Sequence, residues 1–106
     1  MSEKEKIHRR NQLKTLHRAQ NGICAGCGQE IGLERDMSTN APAYPTFDHV
    51  HPRRLGGPRS VSNGLLKHHG CNQRRGGRPP NGCDMIWHMG VQARLQATRQ
   101  ERGART

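Results

Sequence analysis

Apolar residues are scarce in this chain. Leu, Ile, Val and Phe together make 15 of 106 residues, and only three residues are aromatic. With a net charge of +10, that proportion falls where chains commonly fail to fold unaided. One small domain is the most such a core supports, and a domain so placed needs a staple, either disulfides or a metal. Long apolar runs are missing too, and no segment approaches the length of a membrane span. The charged start, MSEKEKIHRR, has no apolar stretch of the kind a signal peptide carries, and neither end offers the apolar face of a membrane-surface helix. The expectation is a cytoplasmic chain with no membrane partner. No internal repeat is visible.

Acids are nearly absent from the middle. Asp48 is the only carboxylate between Met37 and Cys83, a span that carries seven Lys and Arg. Most other acids sit at the extreme N-terminus and over Glu30–Asp36, which leaves the centre and the tail basic. A surface that is merely soluble would mix both signs. A pI near 10.8 instead marks a partner of polyanionic character, nucleic acid above all.

Four cysteines allow two disulfides in three connectivities. A cytosolic chain keeps its thiols reduced, and closely spaced cysteines there more often bind metal or do redox chemistry. Cys24-x-x-Cys27, in the Gly-rich stretch CAGCGQEI, forms half of a zinc knuckle, and His68-x-x-Cys71 supplies the other half. Zinc takes thiolate and imidazole ligands in a tetrahedral shell, and three Cys with one His make an ordinary structural set. Binding energy of order 10 kcal/mol would rescue so poor a core. His68 is preferred to its neighbour His69 because positions three apart share a helix face. Cys83 lies past a Gly/Pro break and reads as a free thiol or a minor alternative ligand. A thioredoxin-like use of the CxxC needs a βαβ sheet, which the chain does not show.

The spacing predicts a helix over 4–20, with Ile7, Leu13 and Leu16 as a sparse apolar stripe and Asn21-Gly22 as its stop. TFDHV, at 46–50, is the best strand candidate. HPRRLGGPRS is read as an open loop leading to a short second strand near Arg59–Val61. SNGLLKHHGCNQRR reads as helical, capped by Ser62 or Asn63 with Leu65 and Leu66 turned inward. After the break GGRPPNG, residues 84–98 make a last helix with two apolar faces, one of Ile86, Met89 and Ala93, the other of Trp87, Val91 and Leu95. A basic tail, frayed after Arg99, completes the chain. This gives a helix over 1–22, a metal-stapled core over 23–78, and a helix with its tail over 79–106.

Asp48-His49-x-His51-Pro52, then Arg53-Arg54-x-Gly56-Gly57, then Asn63, then Cys71-Asn72 follow one another in order. With the CxxC ahead of it, this arrangement resembles the HNH endonuclease family, the zinc-containing branch of the ββα-metal nucleases. The resemblance covers residues 24–75, about half the chain. His49, Asn63 and Asn72 stand at the three named positions, which makes it an HNN variant. It departs from the family at His68, where a Cys is usual. The fold implied is a small α+β one, a ββα-metal motif with a structural zinc knuckle, flanked by an N-terminal and a C-terminal helix.

The residues carry the corresponding chemistry. His49 suits a general base because its unperturbed pKa lies near neutrality. Asp48 offers a carboxylate and Asn72 an amide oxygen to a hard cation, Mg²⁺ or Mn²⁺, with room left for water and phosphate oxygens. On a regular strand Asp48 and His49 face opposite ways, so a twist or bulge is expected there. The resemblance assigns Asn63 to holding the hairpin loop, and an N-cap role is equally open. Arg53, Arg54, Arg74 and Arg75 are the expected phosphate contacts on DNA, and Gly56-Gly57 allow a close approach. His51 is open between metal ligand, phosphate contact and plain loop residue. The resemblance implies hydrolysis leaving 5′-phosphate and 3′-hydroxyl ends. It also implies origin in a phage or mobile element, a host-cytoplasm location, a phage packaging or other DNA-processing partner, and a monomer or weak dimer. The alternative from another class is a non-catalytic zinc module that binds nucleic acid through the same basic surface.

Overall fold

The computed structural model describes residues 1–34 and 36–104, with side chains as far as Glu101. Helix α1 spans Glu3–Ala19. The Ser2 hydroxyl accepts from the Glu5 N–H at 3.2 Å, and Glu3 and Glu5 place negative charge on the first turn, where the helix dipole favours it. The helix ends in a left-handed turn. Asn21 and Gly22 have φ of 53° and 70°, while the Gly22 N–H reaches His17 O and the Asn21 N–H reaches Arg18 O. Leu13, Leu16 and Ala19 form the buried stripe, whereas Ile7 lies outside it and is exposed.

Two antiparallel strands follow, β1 over Pro45–His49 and β2 over Gly64–His68, with Phe47 opposite Leu66 and Asp48 opposite Leu65. The second strand is therefore not near Arg59–Val61, where the chain approaches a short 3-10 turn at Val61–Asn63. The expected long helix from Ser62 shrinks to α2, His69–Arg75. Burial explains the shift. Leu65 and Leu66 are both at 0 % exposure, and neighbouring side chains on a strand point to opposite faces. β2 has cover on both: Leu16 of α1 meets the Gly64 side, while α2 and α3 meet the Lys67 side. A helix would have turned part of that run to water.

Helix α3 spans Gly82–Ala104, past the point where the tail was expected to fray. It opens with a capping box in which the Asn81 N–H donates to Asp84 Oδ2 and the Asp84 N–H donates to Asn81 Oδ1. Val91 is buried with Trp87 and Leu95 packed beside it, so this is the inward face; Ile86 and Met89 stay exposed. Arg94 donates to Ala19 O at 2.7 Å, at the carbonyl end of α1, and Gln92 donates to Val61 O.

The outer edge of β2 is closed by side-chain chemistry. The Gln20 amide, 2 % exposed, accepts from the Leu66 N–H at 2.7 Å and donates to Leu66 O at 3.0 Å. It stands where a third strand would stand, and Ala25 N–H adds a bond to the same carbonyl. The edge of β1 has no strand beside it among the described residues; α2 lies along it, and Asn72 and Arg75 donate to its Phe47 and His49 carbonyls.

Candidate metal centre and adjoining cleft

Cys24 and Cys27 sit in the turn after α1, closed by a bridge between Ile23 and Glu30. His68 ends β2 and Cys71 lies in the first turn of α2. The four ligand atoms fall within 4.8 Å of one another. A tetrahedral zinc site with Zn–S of about 2.3 Å has edges of about 3.8 Å, so this set can hold a metal ion such as zinc. The imidazole supports the fit. His68 Nε2 meets the Glu30 carbonyl at 3.0 Å, so that nitrogen carries the proton. Nδ1 is left facing the sulfurs, 3.4 Å from Cys27 and 4.0 Å from Cys71. Metal-ligating histidines are held in this way through their second nitrogen.

The sulfurs receive donors as well. Gly26 and His68 N–H groups lie 3.2 and 3.3 Å from Cys24 Sγ, and Arg74 Nη2 lies 3.3 Å from Cys71 Sγ. Burial raises the Cys24 thiol pKa, but the backbone donors outweigh it and hold the thiol below its usual value. Burial pushes Cys71 up, as does the neighbouring Cys24, against the Arg74 hydrogen bond. His69 pairs with Gln73 instead, and Cys83 is an exposed thiol outside the cluster.

Beside this centre, along that edge of β1, lies a cleft of about 530 Å³. Asp48, His49 and Asn72 line it together, with Arg53, Arg54 and Gly76-Gly77 around them. The strand pairing runs from Pro45 to His49 without a bulge. None is needed for both Asp48 and His49 to line the cleft, because it follows the strand edge rather than one face. The Asn72 Nδ2 group donates to Thr46 Oγ1 at 3.2 Å and Phe47 O at 3.3 Å. Those bonds orient the amide and leave Oδ1 without a hydrogen bond among the described residues. His49 packs edge-on against Phe47, with ring centroids 4.9 Å apart, and Arg59 stacks over that same ring. Burial lowers the His49 pKa, and the Arg59 charge lowers it further; Asp48 opposes them, while Arg53 and Arg75 add to the lowering.

Asn63 sits in the loop between the strands rather than at a helix start. Its Oδ1 accepts from the His51 N–H, and its Nδ2 donates to His51 O and Pro58 O. Gly57 completes that loop: a Cβ there would lie 1.9 Å from His51 O. The His51 ring meets the Leu55 carbonyl at 3.1 Å and belongs to the loop rather than the cleft lining.

Asp48 is 4 % exposed and is not a bare carboxylate. Its Oδ2 lies 2.8 Å from both Lys67 Nζ and Arg75 Nη1, while Oδ1 makes no hydrogen bond among the described residues. Lys67 in turn reaches Asp84 Oδ1 at 2.8 Å, and Arg75 Nε lies 3.8 Å from Asp84 Oδ2. Two cations and two carboxylates thus alternate in a closed, buried ring. Burial raises the Asp84 pKa, but hydrogen bonds from Lys67 and the Asn81 N–H, with the charges of Lys67 and Arg75, hold it below the usual carboxylate value.

The four arginines expected at phosphate part company here. Arg53 is exposed at the cleft. Arg54 binds Gly77 O through Nε and Nη2, tying the hairpin loop to the segment after α2. Arg74 donates to the Cys71 sulfur. Arg75, also expected at phosphate, is 8 % exposed, and its guanidinium serves Asp48, His49 O, Val50 O and Arg78 O. Carbonyls at the end of β1 and a buried carboxylate draw it inward.

Sequence reasoning passed over Lys67 and Asp84. The signal was present in Lys67, which alternates with Leu65 on one strand face; a buried lysine requires a carboxylate partner. Reading that run as helix hid the alternation. Compared with models of known protein families and with curated proteins, the chain matches none.

Proposed function

We propose that the chain is a metal-dependent DNA endonuclease of the HNH kind, in its HNN form, with His49 as general base toward the attacking water. One observation carries this: Asp48, His49 and Asn72 line a single cleft, and Asn72 follows Cys71 of the metal set directly on α2. A structural metal at the four-residue centre thereby fixes the helix residue that faces the reaction. Further support comes from the order of parts, with the CxxC turn first, then β1, the clamped loop, β2 and α2.

Burial and the Arg59 charge lower the His49 pKa, which favours the neutral imidazole that can accept a proton from water. Arg53 offers a guanidinium to a phosphate at the rim. Asn63 keeps the loop after His49 in one conformation. Asp48 and Asn72 would offer their unshared oxygens to a divalent cation such as Mg²⁺ or Mn²⁺, which would stabilise charge on the phosphate and the leaving oxygen. The products are 5′-phosphate and 3′-hydroxyl ends. The same proposal includes phage or mobile-element origin, action in the host cytoplasm beside a DNA-processing partner, and a monomer or weak dimer.

The second reading, a non-catalytic zinc module that binds nucleic acid, is favoured by the pairing of Asp48 with Lys67 and Arg75. A supercoiled-plasmid assay separates the two. Zinc-loaded protein is expected to nick or linearise plasmid with Mg²⁺ or Mn²⁺ and to stop with EDTA, and His49→Ala to abolish cutting while DNA binding persists. Binding without cutting under every divalent metal establishes the module instead.

A further inference from the structure

The ring of charges beneath Asp48 goes beyond what the cleft requires. Resting on the endonuclease reading above, we propose that Lys67 and Asp84 form a buried counterweight that sets how tightly the Asp48 and Asn72 oxygens hold a divalent cation. Neither residue lines the cleft. Both line a separate cavity on the other side of Arg75, with Pro79, Pro80 and Asn81. They act through Asp48 and are positioning residues.

The argument is one of charge in a place where water screens little. Asp48 Oδ2 already faces an ammonium and a guanidinium at 2.8 Å, and each opposes the arrival of a dication. Asp84 offsets them, sharing Lys67 at 2.8 Å and Arg75 at 3.8 Å. All four side chains are 3–7 % exposed, so salt and solvent do little to level the balance. The ring sums to zero as it stands. Neutralising Asp84 leaves it net positive and makes Asp48 a poorer cation ligand. Neutralising Lys67 leaves it net negative and makes Asp48 a better one. Removing both charges leaves Asp48 and Arg75, again at zero. The capping box fixes the Asp84 carboxylate at the start of α3, so the final helix bears on the cleft through this one side chain.

The test is isothermal titration of Mn²⁺ into zinc-loaded, DNA-free protein, comparing wild type with Asp84→Asn, Lys67→Met, the double variant, and Asp48→Asn as a control. Outer-shell partners of metal ligands typically change affinity by about 10- to 100-fold. Asp84→Asn is expected to weaken Mn²⁺ binding about tenfold, Lys67→Met to tighten it about tenfold, and the double variant to return within about threefold of wild type. A role in folding alone weakens both single variants and does not recover in the double, and that pattern overturns the inference. Should Asp84→Asn fail to fold, the sign of Lys67→Met decides: tighter binding supports the counterweight, while equal or weaker binding overturns it. Wild type that binds Mn²⁺ no better than Asp48→Asn overturns the cleft assignment, and the inference with it. Wild type that binds normally beside unchanged single variants overturns the inference alone.

Discussion

Asn63 grips His51 at both ends of its backbone, accepting from the N–H at 2.8 Å and donating to the carbonyl at 3.1 Å. A third bond reaches Pro58 O at 2.9 Å. One side chain 8 % exposed thus closes a loop that begins directly after the strand carrying His49. Removing it leaves several polar groups without partners, so Asn63→Ala is expected to cost about 2–3 kcal/mol in urea denaturation of the zinc-loaded protein. Asn63→Asp should cost more, because a carboxylate oxygen replaces the amine between two carbonyl oxygens. If Asp proves as stable as Asn, the amide is not the clamp. Under the endonuclease reading, plasmid cleavage by surviving Asn63→Ala protein is expected to fall in kcat more than in DNA affinity.

The metal centre makes a stoichiometric prediction. One zinc per chain is expected, retained in His69→Ala and Cys83→Ser, since neither residue belongs to the cluster. Cys24→Ser and Cys71→Ser should lose the metal and, with it, cooperative unfolding, because structural zinc contributes on the order of 10 kcal/mol or more. His68→Cys gives a four-thiolate set, which zinc also accepts, and should keep the ion. Zinc release titrated with a chromogenic chelator, alongside circular dichroism, reads both quantities. Two zinc ions per chain, or loss on Cys83→Ser, would show the ligand set to be wrong.

Much of this was legible in the sequence because spacing carries it. The two ligand pairs at 24–27 and 68–71, the strand around Asp48-His49 and the left-handed stop at Asn21-Gly22 all rest on local patterns. What was not legible depends on partners distant in sequence. Leu65-Leu66-Lys67 suits helix as well as strand until both faces are known to be covered. Gln20 acts as a false strand only because Leu66 arrives beside it. Arg74 and Arg75 look equivalent as a basic pair, yet one sits at a sulfur and the other reaches buried carbonyls. Nothing in the composition announces the buried cation–carboxylate ring; the fold alone brings Asp48, Lys67, Asp84 and Arg75 together.

Arg53 and Arg75 should separate cleanly on that account. Under the nucleic-acid-binding readings proposed above, Arg53→Ala is expected to weaken DNA binding across sequences and to reduce the slope of log K against log[salt] by about 1. For a footprint of about six phosphates the parent slope is roughly −5. Arg75→Ala removes a buried ion-pair partner and should instead destabilise the fold by about 3–5 kcal/mol. Fluorescence anisotropy over a salt series, paired with denaturation, measures both. A folded Arg75→Ala variant with only a reduced salt slope would assign Arg75 to phosphate contact instead.

His49 sets the acid limb of the pH–rate profile under the endonuclease reading. Burial and the Arg59 charge lower its pKa beneath the ordinary value of 6.5. The neutral, proton-accepting form therefore persists to lower pH, and kcat/KM for plasmid cleavage should begin to fall only below about pH 6.5. Arg59→Gln removes one of the lowering charges, so its limb should move upward in pH. A limb that stays in place, with wild-type rates above it, would show that the Arg59 charge does not set the His49 pKa.

Asp84 gives a stability prediction whose sign follows from its depressed pKa. Burial alone would raise that pKa, but Lys67, the Asn81 N–H and the Arg75 charge together bring it below the ordinary 3.8. A carboxyl lowered on folding contributes stability that is full above its unfolded value and is lost as pH falls through its folded value. Wild type is therefore expected to exceed Asp84→Asn in stability from neutral pH down to about pH 4, with the gap closing below that. Acid also protonates the residues of the Cys/His cluster, but this loss is common to both proteins and cancels in the difference. Urea denaturation of the two zinc-loaded proteins side by side down the pH scale measures that gap. A gap that closes near neutral pH instead would assign the effect to a histidine and remove Asp84 from the ring's energetics.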